Sequence, residues 1–163
     1  MSKKIIWIPL LLIAAILISG CTTTGTDLIP KTNLPPGFTY VAVHSDNSTT
    51  MNIGGSLVNY TEGVYNYNGD DLYIQVIESD NPQALLAQYK LDVQKEFKSN
   101  YDPFTPISIN GHDATQVTDF DLVKGKQKPF YTIVWTTRKD MILVASPTAD
   151  IQTVIALANA TKA

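Results

Sequence analysis

The 163-residue chain has a single cysteine, Cys21, set directly after an apolar run and directly before Thr22-Thr23-Thr24. Ahead of it Lys3 and Lys4 supply positive charge, Ile5 to Ile18 are apolar throughout, and Ser19 and Gly20 are small. A basic start, a short apolar stretch and a small-residue cleavage site describe a secretory signal peptide over residues 1–20. The stretch is shorter than the roughly 20 residues of a comfortable membrane span. One cysteine makes neither an intramolecular disulfide nor a cysteine-rich metal site.

The other residues with reactive side chains are scattered. His44 is followed by Ser45 and Asp46, but neighbours in sequence do not converge with triad geometry. His112 falls in the turn Asn110-Gly111-His112-Asp113. Both histidines read as turn or surface groups, so no catalytic residue is assigned. Asp70-Asp71 and Asp119/Asp121 are paired carboxylates, the second pair on one strand face. Calcium takes six or more oxygen ligands in a recognisable loop spacing, which is missing here, so they read as solvated charges and no metal is expected. There is no phosphate loop, zinc pattern or G-x-S-x-G, and no cofactor is expected. Among eight tyrosines, Tyr65, Tyr67 and Tyr73 gather in one hairpin. Their amphipathic rings suit a recognition surface, while strand tyrosines commonly serve sheet packing; the three are the candidate binding surface. Asn47, Asn59 and Asn159 each begin an N-x-[ST] triplet, the pattern of a glycosylation acceptor.

The order Ile18-Ser19-Gly20-Cys21 resembles the lipobox of prokaryotic lipoproteins: aliphatic, small, small, cysteine. The resemblance implies a diacylglyceryl group on the Cys21 thiol, cleavage just before it, and attachment to the extracytoplasmic face of the cell membrane. Burying acyl chains contributes about 0.8 kcal/mol per CH₂, and two chains hold far better than one. An uncleaved N-terminal anchor or an ordinary secretory signal would also leave the rest of the chain outside the cytoplasm. Loss of Lys3 and Lys4 leaves ten Lys+Arg against 15 Asp+Glu, a net charge of −5, with Arg138 the one arginine. Such a chain lacks the basic face that nucleic-acid binding requires. Lys124, Lys126 and Lys128 form one small basic loop.

Residues 21–36 are rich in Thr, Gly and Pro without periodicity, the composition of a flexible tether. Residues 37–163 then form a single domain of ordinary size. Phe38–Ser45 has strand composition, Asp46–Gly55 reads as a loop, and Ser56–Tyr60 as a short strand. Asn68-Gly69, between Gly63–Tyr67 and Leu72–Glu78, is a strong hairpin signal because both central positions of the turn need positive φ. Leu86, Tyr89, Val93 and Phe97 then recur at helical spacing, behind Asn81 as N-cap and Pro82 at the first helical position. A strand at Ile107–Ile109, a tight turn and a strand at Asp113–Leu122 follow. Val123–Lys128 reads as a loop and Pro129–Thr137 as a strand with Tyr131, Ile133 and Trp135 on one face and Phe130, Thr132 and Val134 on the other. Met141–Ser146 is apolar enough to be buried on both sides. A closing helix is expected from Ser146 as cap and Pro147 as first residue, with Ile151, Val154, Ile155 and Ala158 inward and Gln152 and Thr153 outward.

This order predicts an α+β fold: a largely antiparallel central sheet of about seven strands flanked by two main helices. The pattern is similar to the PsbP/Mog1-like family in its "PPGFTYV" opening, "LLAQYKLDV" helix, "ISINGHDATQV" hairpin and closing helix. The nearest local match is Ile107–Ala114. The resemblance implies a central antiparallel sheet between helices and work in binding or assembly, and it brings no catalytic residues with it. The expected function is a non-enzymatic, membrane-anchored module that binds a protein partner or assists a complex. The alternative is capture of a small ligand (metal, glycan or lipid) at a concave face near Tyr65–Tyr73. A hydrolase would need His44 or His112 beside a carboxylate and a nucleophile in a cleft.

Overall fold

The computed structural model describes residues 25–45, 49–98, 100–123 and 125–163. Cys21, the apolar leader and Asn47 lie outside the described residues. Among the described residues the elements run as a 3₁₀ turn (Gly25–Leu28), β1 (Phe38–His44), β2 (Thr50–Ile53), β3 (Ser56–Asn59), β4 (Thr61–Tyr67) and β5 (Asp70–Glu78). They continue as α1 (Pro82–Glu96), β6 (Phe104–Ile109), β7 (His112–Val123), β8 (Lys126–Thr136), β9 (Asp140–Ser146) and α2 (Ile151–Asn159). Seven strands form one antiparallel sheet in the order β1-β4-β5-β9-β8-β7-β6, and β2-β3 form a separate hairpin. The class is α+β, as the short hairpin connections require.

Alternation along the strands divides the core between the two faces of the sheet. On β8, Ile133 and Trp135 join Tyr65, Leu72, Ile74, Ile142 and Val144 under α2. Val134, one step out of phase, joins Ile77, Val117, Met141 and Leu143 under α1 and the β2-β3 hairpin. β9 supplies both cores, which is why Met141–Val144 is an unbroken apolar run. Leu85, Leu86, Tyr89 and Val93 are the α1 side chains on the second core. The Asn81 side chain caps α1 by accepting from the Ala84 N–H at 3.1 Å. The two open edges of the sheet are blunted: β1 carries a bulge between Tyr40 and Ala42, and β6 carries Pro106. Both devices discourage a further strand from pairing.

Several local expectations change. Asp46–Gly55 is not all loop, because Thr50–Ile53 pairs with Ser56–Asn59 around Gly54-Gly55. The hairpin is held to the body by Asp92 of α1, which accepts the Gly54 N–H. Much of the loop expected at Val123–Lys128 is strand instead, since pairing continues out to Val123 and Lys126, while Lys124 lies outside the described residues. Ser146 does not cap α2. Its hydroxyl donates to the Asp71 carbonyl and accepts the Ala149 N–H, which ends β9. The cap is Asp150, accepting from Gln152 and Thr153. Thr153 therefore turns inward, its hydroxyl donating to the same carboxylate, and Leu157 takes a core place beside Val154 and Ala158.

Those bonds from Thr153, then Gln152, hold the Asp150 carboxyl below its ordinary value. A depressed folded value means the cap contributes fully above the unfolded value of about 3.9 and is lost as pH falls below it. Asp150→Ala is expected to cost about 1 kcal/mol at neutral pH. Asp150→Asn, still a cap but without charge, should flatten the fall in melting temperature below pH 4; parallel melts of the three proteins across pH 2–7 measure it.

The largest difference from expectation is at the front. Residues 25–30, read above as part of a tether, are packed into the first core: Leu28 and Ile29 are buried, Ile29 to 1% exposure. The Gly25 N–H is bonded to the Glu78 carboxylate at 2.8 Å, the buried Tyr65 hydroxyl donates to the Pro30 carbonyl at 2.8 Å, and the Lys162 N–H reaches the Leu28 carbonyl. The body thus begins by Gly25 rather than Gly37. Gly63 is the complement of this segment, since a Cβ there would lie 2.5 Å from the Ile29 Cγ2 and 3.1 Å from the Tyr65 ring. Gly63→Ala is expected to cost about 1–3 kcal/mol by overpacking. Gly69→Ala, whose Cβ meets nothing within 4 Å, reports the cost of positive φ alone, so a denaturant series on both separates the two causes.

Candidate functional site

The sheet separates the three tyrosines proposed as a surface. Tyr65 pairs with Leu72 and is wholly buried, and burial pushes its phenol well above the ordinary value. Tyr67 lies on the same face but is half-buried against Phe38, with ring centroids 4.7 Å apart. Tyr73 pairs with Val64 and so faces the opposite side. Tyr65 packs a core, and the trio makes no single surface.

The other reactive groups stay apart. His44 is exposed at the end of β1 and His112 is half-buried at the start of β7. Among the described residues no three His, Cys, Asp or Glu side chains gather as metal ligands would. Asp71 accepts from Asn66, and Asp119 accepts its neighbour Phe120's N–H; the Asp121 side chain lies outside the described ones. Asn59 and Asn159 are exposed. Among the described residues no helix is long and apolar enough to cross a membrane.

What the fold does assemble is an aromatic row that no sequence motif marks. α1 starts beside the Glu78 end of the sheet and runs back to the opposite end, where Phe97 closes it. The chain then crosses to β6 through Tyr101. The Thr118 N–H donates to the Pro103 carbonyl at 2.9 Å, pinning this crossing to β7. Beyond that point β7 and β8 continue as a two-stranded arm of five more pairs, Asp119↔Phe130 to Val123↔Lys126. Phe120 projects from the root of the arm. Phe97 and Tyr101 lie 5.1 Å apart and Tyr101 and Phe120 6.1 Å, the second pair edge to face. Such pairs contribute about 0.5–1.5 kcal/mol beyond area burial.

This row is bordered by apolar side chains that are not buried: Leu91 is 58% exposed and Leu122 73%, with Tyr101 and Phe120 also exposed. A shallow hollow of about 690 Å³ lies against it, lined by Leu91, Gln94, Lys95, Phe97, Tyr101 and Asp102. A second hollow shares Phe97 and Tyr101 and adds Lys98, Asp119, Phe120 and Gln127. Charges of both signs therefore rim an aromatic centre. Lys95 of that rim forms an ion pair at 2.9 Å with Asp92 behind it, which holds the Asp92 carboxyl below its ordinary range. An aromatic centre with a polar rim is the anatomy of a protein–protein contact. A small-molecule site would enclose most of its ligand, and these hollows are open. The signal that could have found the row was Phe97, expected on the buried helix face but falling just past the helix end.

Comparison with family models, with curated proteins and with solved structures finds no match to this chain.

Proposed function

We propose that the chain is a lipid-anchored, non-enzymatic protein-binding module on the extracytoplasmic face of a prokaryotic membrane. The anchor is the diacylated thiol of Cys21 in the Ile18-Ser19-Gly20-Cys21 pattern. The body is of the PsbP/Mog1-like kind, a reading that rests on its element order and on the Ile107–Ala114 hairpin. The contact surface is the Phe97–Tyr101–Phe120 row with Leu91 and Leu122 beside it. The single observation that carries the binding role is that this row is continuous from the end of α1 across the crossing to β7, with Phe97 half-buried and Tyr101 and Phe120 open to solvent.

Tyr101 is the centre of the row and the residue on which a partner would bear. Truncating a central interface aromatic costs about 2 kcal/mol or more in binding, roughly thirtyfold in affinity. Tethered protein should capture a defined partner from its native membranes under mild crosslinking. Tyr101→Ala, with an unchanged circular dichroism spectrum, should recover that partner far more weakly. Capture of no partner, or equal recovery by the variant, would overturn the reading.

A further inference from the structure

We infer that the end of the sheet carrying Asn59 and Arg138 rests on the lipid headgroups and that the aromatic row is held away from them. The inference rests on Cys21 acylation, as proposed above, and adds the orientation of the body. Its basis is the length of chain between anchor and body. Gly25 is bonded to Glu78 and lies against Val76 and Thr61. From Cys21 to Gly25 is only four peptide steps, a reach of at most about 14 Å.

Register places the rest. Glu78 ends β5 opposite Asp140, the first residue of β9, and the Ser79 N–H donates to the Lys139 carbonyl at 2.8 Å. The exposed turn Arg138-Lys139 therefore sits at the Gly25 end. Thr61 opens β4 beside Asn59, and Lys162 is bonded to Leu28, so Asn59 and the end of α2 sit there too. The aromatic row and the β7-β8 arm are at the other end, past the Tyr131↔Ser146 pair. A nine-residue β5 spans about 30 Å, and the arm pairs from Asp121↔Lys128 to Val123↔Lys126, which lie beyond the level of Asp70, add roughly 10 Å. The reach of the link is thus about a third of the body's length, and the body cannot turn end over end at the surface. Charge does not set this orientation, because Glu62, Glu78, Asp80 and Asp140 accompany Arg138 and Lys139 at the same end. The short link sets it. The consequence for the proposed function is that a partner meets the row from the aqueous side.

The test uses the full lipidated protein in vesicles containing a lipid with a headgroup-level quencher. Single cysteines at Asn59→Cys and Arg138→Cys mark one end and Thr39→Cys and Gln127→Cys the other, each carrying a thiol-reactive fluorophore. Quenching should be several-fold stronger for the first pair than for the second. Inserting about twenty Gly/Ser residues before Gly25 lengthens the link to a flexible coil and should erase the contrast. Equal quenching at both ends in acylated protein, or a contrast that survives the insertion, would overturn the orientation while leaving the anchor in place. A mass for Cys21 without acyl groups would instead remove the anchor itself and the inference with it.

Discussion

A chain begun at Gly37 is expected to be about 4–9 kcal/mol less stable than one begun at Gly25. Leu28 and Ile29 are buried in the first core, and each contributes about 1.5–3 kcal/mol. Their removal also leaves the buried Tyr65 hydroxyl without the Pro30 carbonyl that accepts from it; a buried group left unsatisfied costs about 1–3 kcal/mol more. Whole domains are stable by only about 5–15 kcal/mol, so the shorter chain should sit at or past the edge of folding. Urea unfolding of the two chains, followed by tryptophan emission, decides the point. Trp135 is the one tryptophan after residue 20, so the signal belongs to the core. Equal midpoints would mean that residues 25–36 are a tether after all.

Trp135 itself carries the second large effect. It heads the largest fully buried side chains, and its indole N–H has no hydrogen-bond partner among the described residues. Trp135→Ala should cost about 3–5 kcal/mol, the range for emptying a large aromatic site. Trp135→Phe should fall within about 1 kcal/mol of the parent. It loses some contact volume but removes a donor whose unsatisfied burial costs about 1–3 kcal/mol. Thermal melts read by circular dichroism compare the three. If Phe proves as costly as Ala, the indole N–H has a partner such as an ordered water, and removing the donor brings no offsetting gain.

Much of the body was legible in the sequence because its signals are local. Asn68-Gly69 and Asn110-Gly111 take positive φ at both positions, as tight hairpin turns demand. Tyr131, Ile133 and Trp135 fall on one core and Val134 on the other, because alternation on a strand is a property of the strand alone. Asn81 and Pro82 open α1 where capping chemistry puts them. The misreadings share a different cause. Ser146 and Asp150 are both good caps by type, and only the Asp71 carbonyl across the sheet engages Ser146 in ending β9. Residues 25–34 have a tether's composition, and only a Cβ-free position at Gly63 gives Ile29 a place to pack. Tyr65, Tyr67 and Tyr73 are close in sequence, but a hairpin partner at the opposite parity puts Tyr73 on the other face.

By itself the sequence determined the class of the fold, the main turns, the two core faces of the late strands and the expectation of an acylated Cys21, since each depends on neighbours within a few residues. Tertiary structure alone decided where the body begins and which aromatic residues stay open to solvent. Phe97, Tyr101 and Phe120 come from a helix end, a crossing and a strand, and the geometry that joins them is set by how α1 runs along the sheet and where β6 stops pairing with β7. Periodicity carries no record of such long-range closure, because the free energy that fixes it is spread over contacts between distant segments.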